Sequence, residues 1–368
     1  MKYWRGYLIA AILALATLAV NQLAATYRPL MDMVYPYMIR MLLPEVTAWS
    51  NSVNFCLWQA LLLFVVGGIV LSIVLMILLR WNPVQWFGWV LAVSSLFSLV
   101  NTGVFGIGNY TTPMAEDLLL EMQDYSVDAL EDAAIYYRDK ANVLSRKVNR
   151  DENGVVFASF EDLNNQAGEG FRYLTYERGF AIFSGDTSPV KKLGWSDLYT
   201  ANGVTGMTVY ATGESAVNPK MPQVGLPFAI CKEMAKRMMI YNESEANFAA
   251  FLASTCHDLL FDEFQYSAYL MAYRAIYNVI ASQESVRALE IRAALDESIS
   301  PLLKQDLEQY NRFLPADKAK EADILFTDLL VSWHIQEVVI PLAPRDENSF
   351  DPMDETSEQL KDIINKVA

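Results

Sequence analysis

Three long uncharged runs near the N-terminus constrain this chain more than any other feature. No charged residue stands between Arg5 and Arg28, and residues 7–25 are almost wholly apolar. None stands between Glu45 and Arg80, where residues 55–79 form the second run. The third covers residues 84–104, just after Trp81. Each is long enough for the ~20 helical residues that cross a hydrocarbon core, and nothing of that length recurs after Asn109. The small residues Leu23-Ala24-Ala25 would also suit a secretory cleavage site after the first run. Two further runs follow, so either reading leaves the chain in the membrane.

Charge sets the expected orientation. Lys2 and Arg5 precede the first run, and Arg80 lies in the short Arg80-Trp81-Asn82-Pro83 turn between the second and third. Positive loops favour the cytoplasm. Three crossings from a cytoplasmic N-terminus then place everything after Asn109 outside, in a multi-pass plasma-membrane protein. Residues 1–110 hold five Lys/Arg against two Asp/Glu, which leaves 23 against 41 of the chain's 28 and 43 for the remainder. A part that acidic is repelled by nucleic-acid backbone and by anionic lipid, and attracts cations. Nucleic acid is therefore not an expected partner; the lipid bilayer is.

The remainder reads as mainly helical. The stripe Val34, Tyr35, Tyr37, Met38, Met41 and Leu42 predicts a helix lying at the outer interface. Three-to-four spacing from Met114 to Tyr137 predicts helix over 112–149. Asp151–Gly154 is a turn, Phe160–Leu163 opens a short helix, and Gly185–Pro189 is a loop. Thr205–Ala211 is the best strand candidate. Residues 226–336 read as helix broken near Tyr241-Asn242, Ser298–Pro301 and Leu314-Pro315. Residues 341–368 read as a polar tail, with Leu360, Ile363 and Ile364 allowing a last helical turn. The expected division is thus 1–110 membrane part, 111–340 external domain and 341–368 tail.

Within the helical region, Lys232-Glu233-Met234-Ala235-Lys236 is followed by Glu243-Ser-Glu245-Ala-Asn-Phe248. A zinc peptidase helix carries His-Glu-x-x-His, whose imidazoles lie one turn apart and share one ion with a third ligand from a later helix. Here the frame persists with lysine at both histidine positions. Gly213–Asn218 (Gly-Glu-Ser-Ala-Val-Asn), Pro227-Phe228 ahead of the lysines, Glu243–Phe248 and Tyr266-Ser-Ala-Tyr269 complete a set of four ordered motifs. In these the chain resembles a bacterial family of three-span membrane proteins read as zinc metallopeptidases; the likeness runs to about residue 285 and fades after 300. The resemblance implies a zincin-like external domain. Glu233 would stand at the general-base position and Glu245 at the third-ligand position. Zinc is implied for relatives with intact histidines, and no cofactor for this chain.

An ammonium has no lone pair and repels a dication, so Lys232 and Lys236 leave Glu233 no metal-bound water to deprotonate. Two positive charges would, however, balance two carboxylates left without a metal. Either Lys232, Lys236, Glu233 and Glu245 form an ion cluster in place of the metal, or both lysines point to solvent. The chain's two histidines, His257 and His334, cannot rebuild the pair locally. Cys231 and Cys256 either pair or, for Cys231, fill a helix core. Ser254 and Cys256 neighbour His257 on one helix, where neighbours point apart. Phe264, Tyr266, Tyr269, Tyr273 and Tyr277 read as helix packing rather than a ligand cage.

The expected fold is mainly α: three transmembrane helices, then an α-rich extracytoplasmic domain with a small strand region. The expected function is a membrane-anchored pseudopeptidase that binds a peptide, an envelope component or a protein partner. The candidate cleft is Tyr210, Glu214, Asn218, Lys232, Glu233, Lys236 and Glu245. The alternatives are an active zinc hydrolase with another ligand set, or a structural membrane assembly protein.

Overall fold

The structure, a computed structural model, describes residues 4–122, 124–256, 260–314 and 323–339. The tail at 341–368 and His257 lie outside the described residues, as do the side chains of the stripe from Val34 to Met38.

Four long helices come first: α1 (Arg5–Thr26), α2 (Arg28–Ser50), α3 (Leu57–Leu78) and α4 (Pro83–Val104). Three of these, α1, α3 and the helix from Pro83 onward, are long and apolar enough to cross a membrane. Helices α1 and α4 pack together where Gly6 meets Gly88; a Cβ on Gly6 would lie 2.4 Å from the Gly88 carbonyl carbon, so only glycine permits this approach. The turn before α4 follows from its residues. Asn82 Oδ1 accepts from the Val84 and Gln85 N–H groups at 3.0 and 3.2 Å, and Pro83 starts the helix without needing a donor. Along α3 the side chains face outward, as those of a lipid-facing helix would, and only Gln59 is buried.

Beyond α4 the described residues are mainly helical, with a small sheet. The elements are α5 (Met114–Asp117), α6 (Val127–Leu144), α7 (Phe160–Tyr176), β1 (Lys191–Lys192), α8 (Ser196–Ala201), β2 (Gly206–Val209) and β3 (Glu214–Val217). Then come α9 (Leu226–Arg237), α10 (Glu243–Thr255), α11 (Asp262–Ala281), α12 (Val286–Ser298), α13 (Pro301–Phe313) and α14 (Asp323–Trp333). Helix α11 is the core: Phe264, Tyr266, Leu270, Tyr273 and Ile276 are all buried on it, which places the aromatic series in packing. Around it lie α6, α9, α10 and α14.

The sheet has order β1-β3-β2, with β1 parallel and β2 antiparallel to β3. Strand β2 falls inside the expected 205–211, ending in a 3-10 turn at Tyr210–Thr212. The central strand, Glu214–Val217, carries one of the motifs but has no strand signal in its sequence; pairing on both sides makes it one.

Two helical expectations are corrected. Residues 112–149 are not one helix: Leu119 adopts φ 54°, which ends α5, and Ser126 restarts the chain by capping α6 at Ala129 N–H. The stretch from Leu226 breaks additionally between α10 and α11 and again before α12, where Ser285 caps Ala288 N–H. Serine caps start α6 and α12, against an apolar periodicity that runs through these points.

Candidate functional site

Helix α9 lies on the face of the small sheet, and sequence chemistry explains its seat. Gly206 has no side chain, and a Cβ there would meet Glu233 Cγ at 2.6 Å. Thr208 Oγ1 donates to Glu233 Oε2 at 2.8 Å, and Ser215 Oγ donates to the Glu233 carbonyl at 2.8 Å. These contacts aim the fully buried Glu233 carboxylate along the sheet. Its other oxygen, Oε1, accepts no hydrogen bond. It faces the two lysines instead, at 3.9 Å from Lys232 Nζ and 3.8 Å from Lys236 Nζ.

The cluster exists, but with a different fourth member. Glu243, the first residue of α10, bridges the two ammoniums: Oε1 lies 2.7 Å from Lys232 Nζ, and Oε2 pairs with Lys236 Nζ. Lys232 Nζ also donates to Thr205 Oγ1 at 3.3 Å. Glu245 takes no part. Residues two apart on a helix point about 200° from each other, so only one of Glu243 and Glu245 can face the lysines. Asn242 Oδ1 caps the Ser244 and Glu245 N–H groups and starts α10 at Glu243, and the packing of α10 against α9 turns Glu243 rather than Glu245 to the lysines. Glu245 instead accepts from Met114 N–H at 2.9 Å and borders a cavity of about 730 Å³ beside α2, lined also by Arg28, Asp32 and Asp117.

Electrostatics follows burial and pairing. Burial opposes the Lys232 charge, but the carboxylates of Glu243 and Glu233 more than offset it and hold its pKa above the ordinary lysine value. The Lys232 ammonium draws Glu243 down to about 2; burial opposes this and Lys236 adds to it. Glu245 is raised, by burial first, with Met114 N–H opposing and Asp117 adding. Lys232 is therefore an ammonium across ordinary pH, neither nucleophile nor base.

Three other candidates have structural partners. Tyr210 packs at a tilt against Tyr241 and stacks on Phe105, with ring centroids 4.7 and 5.8 Å apart, tying the end of β2 to the end of α4. Asn218 is buried and donates to Val204 O and Thr200 Oγ1 at 3.0 Å each. Glu214 is buried away from the lysines. Its two oxygens accept from Leu57 and Trp58 N–H at 2.8 Å each, and Oε1 pairs with Lys191 Nζ at 2.6 Å. It caps the N-terminus of α3, where the first backbone donors have no partner within the helix.

A zinc ion does not fit the donor set at α9. The groups gathered there are two ammoniums, which have no lone pair, and the carboxylates of Glu243 and Glu233 that pair with them. His334 is buried against Tyr136, ring centroids 4.9 Å apart, on another part of the domain. Cys231 and Cys256 are both free thiols, and burial pushes each up to about 12, which leaves neither reactive. Thr205, Thr208, Ser215 and Glu243 were not legible as site residues. The one signal was Asn242, a cap that makes Glu243 the first residue of its helix.

Residues 31–330 match the family model described as a protein of unknown function, DUF3810. The chain belongs to this family. The match starts in α2 and ends in α14, so the sheet, α9 and α10 all lie within the DUF3810 region. No curated protein and no solved structure matches the chain.

Proposed function

We propose that this DUF3810 protein is a membrane-anchored pseudopeptidase: a zincin-like external domain, inert at Lys232-Glu233-x-x-Lys236, that binds a peptide or a protein segment beside the old metal helix. One observation carries the reading. The helix that would bear the metal ligands lies against a short sheet with β2 as one of its two edge strands, and Glu243 closes its two lysines where a metal would sit. Lysine supplies no lone pair at that point, so no metal-bound water forms there.

The edge gives the binding mode. Asn218 N–H donates to Thr205 O at 2.8 Å, so bonded pairs of the antiparallel ladder fall at 205–218, 207–216 and 209–214. Gly206 and Thr208 then turn their backbone groups to the open side, where an extended peptide adds a strand. The proposed topology is a cytoplasmic N-terminus with the domain outside. Arg80 and the N-terminus of α1 lie at one end of the apolar helices. The domain contacts the other end, through Thr47 to Gly213 O, Cys56 to Lys192 O and Glu214 to α3.

Zinc titration tests the inert site. Purified protein exposed to zinc and desalted should hold far less than one equivalent, whereas Lys232→His/Lys236→His should hold one and lose it on Glu243→Ala. Stoichiometric zinc in the unaltered protein, lost on Glu243→Ala, would sink the reading. A photoreactive residue at Met207 on β2 tests binding in cells. A discrete cross-linked partner is expected; partners captured only from the far face of the domain would leave β2 as scaffold.

The structural alternative draws on a separate observation: Glu214 and Lys191 are spent on joining the domain to α3. That joint is compatible with either role.

A further inference from the structure

We propose that Lys232 and Lys236 form a carboxylate clamp held shut by Glu243, and that the clamp receives the C-terminal residue of a peptide laid against β2. The inference rests on the peptide-binding reading above and names the chemistry that the site selects.

Glu243 already occupies the clamp as a carboxylate ligand would, one oxygen to each ammonium. It is also the outer member of the cluster. Its side chain is 45% exposed, against 12% for Lys232, 18% for Lys236 and 0% for Glu233. Glu243 can therefore leave by rotating its own side chain, while Glu233 is fixed by Thr208 and the sheet. The four charges sum to zero, so the departure of Glu243 leaves one net positive charge, which an incoming carboxylate restores to neutrality. A neutral ligand does not, and strands two ammoniums on one buried acid.

The second recognition element is Glu233 Oε1. It is fully buried, its sister oxygen is taken, and it accepts no hydrogen bond. An unused buried acceptor is costly unless something donates to it. A peptide's last residue presents an amide N–H and a carboxylate about 3 Å apart by ordinary backbone geometry. Glu233 Oε1 lies 3.8–3.9 Å from both lysine nitrogens. One terminal residue thus offers a donor to Glu233 and an acceptor to the lysines together. The preceding residues fall beside Gly206 and Thr208, whose outward backbone groups have no described partner. A terminal carboxylate ends the strand at the lysines, whereas an internal acidic side chain leaves a following residue to be placed beside the buried cluster, which is why the C-terminus is favoured.

The test uses the full chain in detergent micelles and a fluorescein-labelled pool of randomised pentapeptides. One pool ends in a free carboxylate and the other in a carboxamide, and binding is read by fluorescence anisotropy. Glu243→Gln removes the resident competitor, so the acid pool should bind this variant at least tenfold tighter than the unaltered protein, and at least tenfold tighter than the amide pool. Adding Lys236→Gln to Glu243→Gln should abolish that preference, as should adding Lys232→Gln, each checked for an unchanged circular dichroism spectrum. Equal binding of acid and amide pools overturns the clamp and leaves edge-strand binding standing. Absence of binding by both pools in Glu243→Gln also overturns the clamp, and the Met207 cross-link then decides separately whether β2 binds a partner.

Discussion

Replacing Glu214 with glutamine should loosen the joint between the domain and α3, and the structure gives the size of the effect. The carboxylate is fully buried and meets three donors: Leu57 N–H and Trp58 N–H at 2.8 Å each, and Lys191 Nζ at 2.6 Å. Lys191 is itself buried, and its remaining partners are the carbonyls of Ser50 and Phe55, at 2.7 and 3.0 Å. Glutamine keeps the shape and one acceptor oxygen. It removes the countercharge and one of the two cap bonds. Breaking a buried ion pair costs about 3–5 kcal/mol, and a lost cap bond, worth roughly 0.5–2 kcal/mol, overlaps with it. The expected loss is therefore about 3–5 kcal/mol, concentrated at this joint. Cys56 reports it, because it is buried beside the joint with Sγ 3.4 Å from Lys192 O. With Cys231 and Cys256 changed to alanine, Glu214→Gln should speed maleimide labelling of Cys56 by roughly 100-fold or more, since each 1.4 kcal/mol is tenfold. Lys191→Met added to Glu214→Gln should cost less than the two single changes together, because neither charge is then stranded. A labelling rate within threefold of the parent, with an unchanged Tm, would refute the claim that this ion pair holds α3 to the domain.

Other outcomes follow from the cluster and its surroundings. Lys236→Met should destabilise by about 1–3 kcal/mol, between the exposed and buried limits for an ion pair; a thermal-melt cycle with Glu243→Gln should show coupling, and additive near-zero changes would mean the pair contributes nothing. Glu243 is held near 2, below its ordinary 4.5, so its contribution is complete above about pH 4.5 and is lost as pH falls toward 2. Melting curves of Glu243→Gln should lack that acid-side loss. Glu245 is shifted the other way, so the folded state favours its protonated form and its burial costs stability as pH rises. Glu245→Gln should raise Tm at neutral pH and leave it unchanged at pH 4; a lower Tm at neutral pH would show that the charge is needed. Val286→Cys, at a position 73% exposed, should react with an impermeant maleimide on intact cells once the native cysteines are replaced, and labelling only after lysis would reverse the orientation.

The apolar runs and the helix starts could be read directly, because both are local. Expected spans at 7–25, 55–79 and 84–104 coincide with Arg5–Thr26, Leu57–Leu78 and the helix from Pro83. The caps Asn82, Asn242 and Ser300 sit at breaks that the sequence marks. The site was legible in its lysines and in Glu233, since spacing of three and four on one helix brings side chains to one face. It was not legible in its fourth member. Glu243 and Glu245 have equal chemistry, and only the docking of α10 against α9 turns Glu243 to the lysines. Glu214 shows the same limit at longer range: it resembles a cleft residue by its motif, yet its partners at Leu57 and Trp58 are more than 150 positions away.

Sequence alone determined that this chain carries three bilayer-length apolar helices, an acidic helical part, and two lysines one turn apart beside Glu233 on one helix. Those properties belong to residues and their near neighbours. Tertiary structure decided which carboxylate closes the lysine pair, which one caps α3, and which strand lies at the centre of the sheet. Each depends on the distance between segments far apart in the chain, and that distance exists only once α9, α10 and the sheet have packed.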